Sequence, residues 1–347
     1  MLKEGEFRML RIAKTLAFVL STSLILTGAL LADSAPLYKQ VAKYTIGGDG
    51  GWDYITYDPS GNRLFVAHNS AIYVIDATSG KKTGEIPANG AHGVALVPDK
   101  GLGFSSNGRA GTVTVFDLKT LAPKTDIKVG ENPDAIIYDK YAKRVIVMNG
   151  RSHDLMAIDP DSLKVIAAVP LGGKLEFAAA DPGHVYVNVE DTGEIAVVDS
   201  TTWKATERWK LADCEEPSGL AIDEASGHLF TVCGNGKMLV VDKKTGKAVA
   251  TPATGKGTDA AAFDPKLGFA FASNGEGTLT VVRRVKGGTY EAASNIQTQR
   301  GARTMAVDPN SHRVFLPTAE LGPPAEGQTR PSIKPGSFEI LVYAPSE

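Results

Sequence analysis

Seven positions recur along this 347-residue sequence at nearly constant spacing, and they carry the side chains best suited to chemistry. Successive positions lie 39 to 44 residues apart, and six of the seven are ionisable. The set, called the mouth ring below, is Asp53, His92, Asp134, Glu176, Ser218, Asp259 and Arg303. Carboxylates and imidazoles ligate divalent metals, and an arginine among carboxylates can bind an anionic group. The spacing therefore predicts one polar site assembled from equivalent places in a repeat.

A second set of polar residues follows the first by about fifteen positions. It comprises His68, Asn107, Asn149, Glu190, Cys233, Asn274 and Thr318, with Glu190 taken one residue early. Together the two sets predict a ligand site formed by the ring carboxylates, His92, Arg303 and the three asparagines. Within them His68, His92 and Asp53 could ligate Zn²⁺, Cu²⁺ or Fe²⁺. The alternative is a structural role, because strand ends need polar partners.

The elements that must position these residues are short strands in a fourfold pattern. Each ring position opens an apolar strand, which runs into a turn rich in Asp, Pro, Gly and Asn. Two more apolar strands and a polar outer strand complete each unit. A period of about forty residues in four-stranded units is typical of a β-propeller blade. We therefore expect an all-β, seven-bladed propeller of antiparallel blades, one domain over residues 37–345, with both polar sets at one mouth of the axial channel.

The two ends of the repeat predict how the ring of blades closes. The seventh unit has no outer strand of its own, whereas a lone strand of outer type covers residues 40–48. We expect this strand to complete the last blade, which removes an exposed sheet edge. The Pro-rich stretch 321–335 interrupts the seventh unit and is interpreted as an insertion loop rather than a domain boundary.

The N-terminus has the pattern of a secretory signal peptide. A basic start precedes an uncharged apolar run over residues 15–32, which contains small residues near its end. Cleavage near residue 32 would leave no stable membrane span and places the protein in the periplasm or outside the cell; the alternative is an uncleaved anchor. Residues 1–32 hold four basic and two acidic side chains, so the net charge of −2 becomes −4. Nucleic acid is therefore an unlikely partner by charge.

Cys214 and Cys233 are the two cysteines of the chain, and both fall in the fifth unit. Antiparallel pairing of the first two strands of that unit sets Cys233 near Pro217, and Cys214 lies three residues upstream on the same face. In an oxidising compartment this arrangement predicts a disulfide bond. The alternative is a free thiol pair that binds a metal or a redox partner.

The repeats resemble those of bacterial YVTN-repeat, or YncE-like, seven-bladed propeller proteins. The stretches NRLFVAHNSAIYVIDATSGK, NGRAGTVTVFDLKT, GHLFTVCGNGKMLVVDKKTGK and NGEGTLTVV carry the resemblance, although the strict YVTN tetrapeptide is absent. It spans residues 37–345 and implies the propeller fold. For function it implies several roles, because relatives include a DNA-associated periplasmic protein and, more distantly, quinoprotein subunits and lactonases.

Three functions remain open at this point. The first is a monomeric binding or scaffold module that contacts a small polar ligand, a metal ion or another envelope protein at the mouth. The second is a metal-dependent lactonase or hydrolase with Asp53, His92 and His68 as ligands and Asp134 or Glu176 as base. The third is DNA association. Familiar catalytic motifs such as HExxH, GxSxG and the P-loop are missing, so no cofactor is assigned beyond a divalent metal ion.

Overall fold

A computed structural model describes residues 37–346 of the chain. The predicted signal peptide, residues 1–32, lies outside them. Within the described residues, seven four-stranded antiparallel sheets follow one another along the chain, and the only helix is a 3₁₀ turn at Pro98–Lys100. No helix of residues 37–346 is long and apolar enough to cross a membrane. The predicted seven-bladed propeller is confirmed.

Each blade runs from a first strand at the axis to a fourth strand at the rim. The first strands are Trp52–Asp58, Ala91–Val97, Pro133–Asp139, Leu175–Asp181, Pro217–Asp223, Thr258–Asp264 and Ala306–Asp308. The second strands are Arg63–His68, Leu102–Asn107, Arg144–Asn149, His184–Val189, His228–Cys233, Phe269–Asn274 and Arg313–Thr318. The third strands are Ala71–Asp76, Thr112–Asp117, Asp154–Asp159, Glu194–Asp199, Lys237–Asp242, Thr278–Arg284 and Glu339–Pro345. The outer strands are Lys82–Pro87, Pro123–Lys128, Lys164–Pro170, Lys204–Lys210, Lys247–Ala250, Tyr290–Gln297 and Tyr38–Thr45.

The core lies between the blades. Apolar side chains gather in seven clusters, each at the boundary between two neighbouring blades, including blade 7 with blade 1. Tyr54 of blade 1 also joins the cluster between blades 3 and 4. The strands are apolar on both faces because each blade packs against two others, which explains their nearly continuous Val, Ile and Phe content. Since first strands of successive blades also pack together, the start of every first strand is fixed beside the axis.

The ring of blades closes as predicted. Tyr38–Thr45 pairs antiparallel with Glu339–Pro345, the third strand of blade 7. The pairing continues past the strand, because the amides of Ile46 and Gly47 both donate to the carbonyl of Phe338 at 3.0 and 2.9 Å. The N-terminal strand therefore supplies the missing outer strand and covers the edge of the third strand of blade 7.

Two local features depart from the regular repeat. The first strand of blade 7 is only Ala306–Asp308. Just before it, the Thr304 hydroxyl donates to the carbonyl of Asp53 in blade 1, at 2.9 Å. The Pro-rich insertion is not a plain loop, since it contains a small hairpin, Leu321–Pro324 with Pro331–Ile333.

The disulfide bond between Cys214 and Cys233 is present, with 5.3 Å between the two Cα atoms. Cys233 pairs with Pro217 in the ladder, as the strand alignment predicted. The bond ties the loop that enters blade 5 to the end of its second strand, on the same face as the mouth ring.

Candidate functional site

Five of the seven ring residues form a continuous chain of charged contacts across blades 6, 7, 1, 2 and 3. The Nε atom of Arg303 donates to Asp259 at 2.7 Å, and a terminal nitrogen of Arg303 lies 3.7 Å from Asp53. The next link joins Asp53 to Nδ1 of His92 at 2.6 Å. His92 Nδ1 also lies 3.5 Å from Asp134. Positive and negative groups alternate along this chain, so most of its charge is balanced internally.

Asp53, His92 and Asp134 form the one group within residues 37–346 whose donor atoms could hold a metal ion together. One atom from each of these side chains lies within 4.8 Å of the other two. Ligands of tetrahedral zinc at bond lengths near 2.0 Å lie about 3.3 Å from one another. The three donors are therefore close to a metal-binding arrangement, and the His92–Asp53 contact needs to open only slightly.

His68, which the sequence placed in the metal set, lies elsewhere. Its ring is buried between Tyr73 and Phe338, with ring centres 4.5 and 4.4 Å away, and burial lowers its pKa. The side chain fills the boundary between blades 1 and 7 rather than facing His92. The donor group that the structure brings together is Asp53, His92 and Asp134, and His68 is not part of it.

The three asparagines of the second set are likewise buried and bonded inside their own blades. The Asn107 amide donates to Thr114 at 2.8 Å, and the Asn274 amide donates to Thr278 and Thr280 at 2.9 and 3.0 Å. Asn149 donates to Asp154 at 3.3 Å. These side chains hold the turns between second and third strands, and none of these bonds reaches a ring residue.

Two ring carboxyls are poised to be protonated near neutral pH. Burial raises the pKa of Asp134 to about 7, and the charges of Asp53 and Asp259 add to the rise while His92 opposes it. Burial also raises the pKa of Glu176 to about 9, aided by a hydrogen bond to Glu190. The raised pKa favours the neutral acid form of Glu176, which suits a proton donor better than the general base considered from the sequence.

The surrounding carboxylates favour the charged forms of His92 and Arg303. Burial by itself lowers the pKa of His92, but its hydrogen bond to Asp53 and the charge of Asp134 outweigh burial, so the pKa is raised. The pKa of Arg303 is also raised, since Asp259 and Asp53 outweigh burial. The guanidinium additionally donates to the carbonyl of Trp52 at 3.2 Å and lies over its ring.

Lys174 completes the site and was missed by the sequence reading. Its ammonium lies 2.8 Å from Glu176 and also pairs with Glu190. The sequence does contain an indication of this contact, because Lys174 stands two residues before Glu176 and strand alternation places both side chains on the same face. No lysine stands at the equivalent position of the other units, so the repeat pattern alone does not identify Lys174.

The channel below the ring is filled by side chains. Tyr54 and Phe177 face each other with ring centres 5.2 Å apart. The remaining cavity, lined also by Ile136 and Met305, measures about 50 Å³. Organic ligands need a few hundred Å³, so the mouth can hold an ion or one end of a ligand but not a whole molecule within the channel.

Comparisons with known proteins add support for the fold. No protein-family model matches the chain. No curated protein matches it either. Among solved structures, hydrazine synthase of Kuenenia stuttgartiensis is similar, with a TM-score of 0.65 and 17% sequence identity over 77% of this chain and 92% of that one. At this identity the likeness concerns the propeller architecture alone.

Proposed function

We propose that this protein is a binding module of the bacterial envelope, of the YVTN-repeat type, which contacts its ligand at the mouth ring through a divalent cation. The observation that carries the proposal is the convergence of Asp53, His92 and Asp134, whose donor atoms lie within 4.8 Å of one another. A two-carboxylate, one-imidazole set suits Zn²⁺, and it leaves a coordination position open for a polar ligand.

The protonation state of the ring supports cation uptake. Asp134 has a pKa of about 7 because its carboxylate is buried beside two others. A bound cation supplies the positive charge that this carboxylate lacks, so binding favours its ionised form. His92 must release its proton as well, since only neutral imidazole ligates a metal. Cation binding therefore couples to proton release and strengthens as pH rises.

The envelope location rests on the sequence of residues 1–32 together with the disulfide bond. Disulfides persist in oxidising compartments and are rare in the cytosol. Cys214 and Cys233 are both buried, so the bond is part of the folded blade rather than an exposed redox pair.

Zinc titration of the purified, chelator-treated protein tests the function. We expect one equivalent to bind at pH 7.5, with heat that depends on the buffer because protons are released. Asp134→Asn and His92→Gln should each weaken binding about tenfold or more, as loss of a ligand does. The matched control is His184→Gln, because His184 is exposed on the opposite face. Absence of binding, or equal affinity in all variants, would overturn the proposal.

A metal-dependent hydrolase is the second candidate, favoured by the open coordination position that three protein ligands leave. In this version the neutral carboxyl of Glu176 serves as a proton donor to a leaving group rather than as a base. Turnover of a simple lactone by the zinc-loaded protein, lost in Glu176→Gln while zinc affinity stays unchanged, would establish it. No turnover by a zinc-loaded protein would leave the binding module as the function.

A further inference from the structure

A cleft between blades 2 and 3 opens on the same face as the mouth ring but lies outside it. Its volume is about 410 Å³. It is bounded by the turn around Arg109, the end of the outer strand at Lys128, and the turn around Arg151. This volume falls in the range of small-molecule sites, unlike the filled channel.

The charge of the cleft is opposite to that of the chain. Arg109, Lys128 and Arg151 line it with a single carboxylate, Glu131, so three positive charges and one negative charge sum to +2. The whole sequence has a net charge of −2. Within residues 37–346 none of these three cations lies in an ion pair. They differ in this from Arg303, which is committed to Asp259 and Asp53.

The cleft is built by close backbone packing. A Cβ atom at Gly90 would come within 2.7 Å of Cγ of Arg109, so the stem of that arginine rests directly on the neighbouring turn. The amide of Glu131 donates to the Ser152 hydroxyl at 3.0 Å, which fixes the opposite wall. Arg109 and Arg151 are thus carried on tied turns rather than on free loops.

We propose that this cleft is a binding site for a small ligand with two or more anionic groups, phosphate or carboxylate, gripped by Arg109, Lys128 and Arg151. Arginine matches both groups with paired hydrogen bonds, and unpaired cations have no internal contact to give up when they bind. Because three cations line the cleft, a ligand with several anionic groups can contact more of them than a ligand with one carboxylate. The site is independent of the metal site proposed above.

The cleft shares a wall with the mouth ring. Nε2 of His92 lies 2.5 Å from the place of a Cβ at Gly108, and Gly108 lines the cleft together with Asn132. An anion bound in the cleft therefore lies near the outer nitrogen of His92, while Nδ1 contacts Asp53.

The experiment is a calorimetric titration of the full chain, without divalent metals, with inorganic tripolyphosphate and separately with citrate. The double variant Arg109→Gln/Arg151→Gln should lower the affinity for the bound anion about tenfold or more, the size expected for lost charged hydrogen bonds. The matched control is Lys204→Gln/Lys247→Gln, because both lysines are exposed at the opposite end of outer strands. A neutral obstruction, Ala110→Trp, should also weaken binding, since Ala110 lines the cleft.

The outcomes separate clearly. Tripolyphosphate binding alone identifies a phosphate site, and citrate binding alone identifies a carboxylate site; either supports the proposal if the cleft variants lose it. A change in the NMR resonances of the His92 ring upon anion binding, assigned with His92→Gln, places the anion beside the ring. No binding of either anion, or equal loss in the control pair, overturns the proposal. Tighter binding of a dT15 oligonucleotide that is lost in the same variants would replace it with single-strand binding. Uptake of one equivalent of zinc by Arg109→Gln/Arg151→Gln shows that the metal site does not depend on the anion site.

Discussion

Nδ1 of His92 lies 2.6 Å from Oδ2 of Asp53, so the imidazole of blade 2 is tied to the carboxylate of blade 1. This contact adds a charged link between two blades that are also joined by apolar packing and by hydrogen bonds such as that from the Thr56 hydroxyl to the carbonyl of Val94, at 2.8 Å. It also affects the charge of the mouth, because it raises the pKa of His92, while burial raises the pKa of Asp134, the other carboxyl beside the imidazole, to about 7.

The His92–Asp53 contact predicts a stability difference that grows in acid. The pKa of His92 is raised on folding, so its contribution is complete below the unfolded value near 6.5 and is lost as pH rises through the folded value. Denaturant unfolding of His92→Gln and the parent should therefore differ by about 1 kcal/mol more at pH 5.5 than at pH 9. Lys204→Gln, at an exposed position at the start of an outer strand, is the control. A difference that is constant across this range would show that His92 is held by packing rather than by its charge.

The contribution of Asp134 to stability should fall as pH rises, whereas that of a salt-bridged carboxylate increases with pH. Its folded pKa of about 7 lies above its unfolded value, so the folded state is favoured by protonation and loses that advantage as pH rises from about 4 to 7. With chelator present, Asp134→Asn should stabilise the protein at pH 8.5 by roughly 1 to 3 kcal/mol, and the gain should vanish near pH 4.

The control for this experiment is Asp99→Asn, an exposed aspartate in the 3₁₀ turn. Added zinc should reverse the order of stability at pH 8.5, because only the parent retains the full ligand set. Destabilisation by Asp134→Asn at every pH would mean that the carboxylate is stabilised in place rather than strained.

The architecture could be read from the sequence because the repeat is redundant. The same strand and turn pattern occurs in seven units, so the period can be recognised even though one unit, blade 7, is irregular. Closure by the N-terminal strand followed from counting outer strands, and the ladder from Tyr38 to Thr45 bears it out. Repeat position also located the start of each first strand, which explains why Asp53, His92 and Asp134 were found together.

The repeat does not predict where the side chains of the second polar set point. Whether a residue at the end of a second strand faces the axis or its own blade depends on twist and on the neighbours of that blade. His68 has aromatic rings on both sides, and Asn107 has threonine hydroxyls within reach. Sequence period fixes the place of the Cα atom, whereas these contacts decide where the side chain goes.

Closure can be tested at a single glycine. A Cβ at Gly80 would lie 2.2 Å from the ring of Tyr44, which belongs to the closing strand, and Gly80 has φ of +71°. Gly268 is a matched control: its φ is +67°, nothing lies within 4 Å, and its amide donates to the carbonyl of an aspartate four residues earlier, as that of Gly80 does.

Gly268→Ala should lower the free energy of unfolding by only about 1 to 2 kcal/mol, the cost of placing a residue with a Cβ atom in the left-handed region. Gly80→Ala should cost that amount plus about 1 to 3 kcal/mol for displacing Tyr44, measured as the free energy of unfolding. Equal costs for the two substitutions would show that Tyr44 moves freely and that the closing strand is loosely held.

The disulfide bond predicts a stability cost that is separable from packing. Cys214 and Cys233 are 19 residues apart, and a bond that closes such a loop stabilises a fold by about 3 kcal/mol on the loop-entropy model. Because Cys233 is fully buried, Cys233→Ala would also leave a small void, so reduced parent protein is the better comparison.

We expect reduction under denaturing conditions, followed by refolding with reductant, to lower the unfolding free energy by about 2 to 4 kcal/mol. Native protein should resist the same reductant, since both sulfurs are shielded. Equal stability of reduced and oxidised protein would show that blade packing alone holds the loop that enters blade 5, and that the bond is not needed to keep this side of the mouth in place.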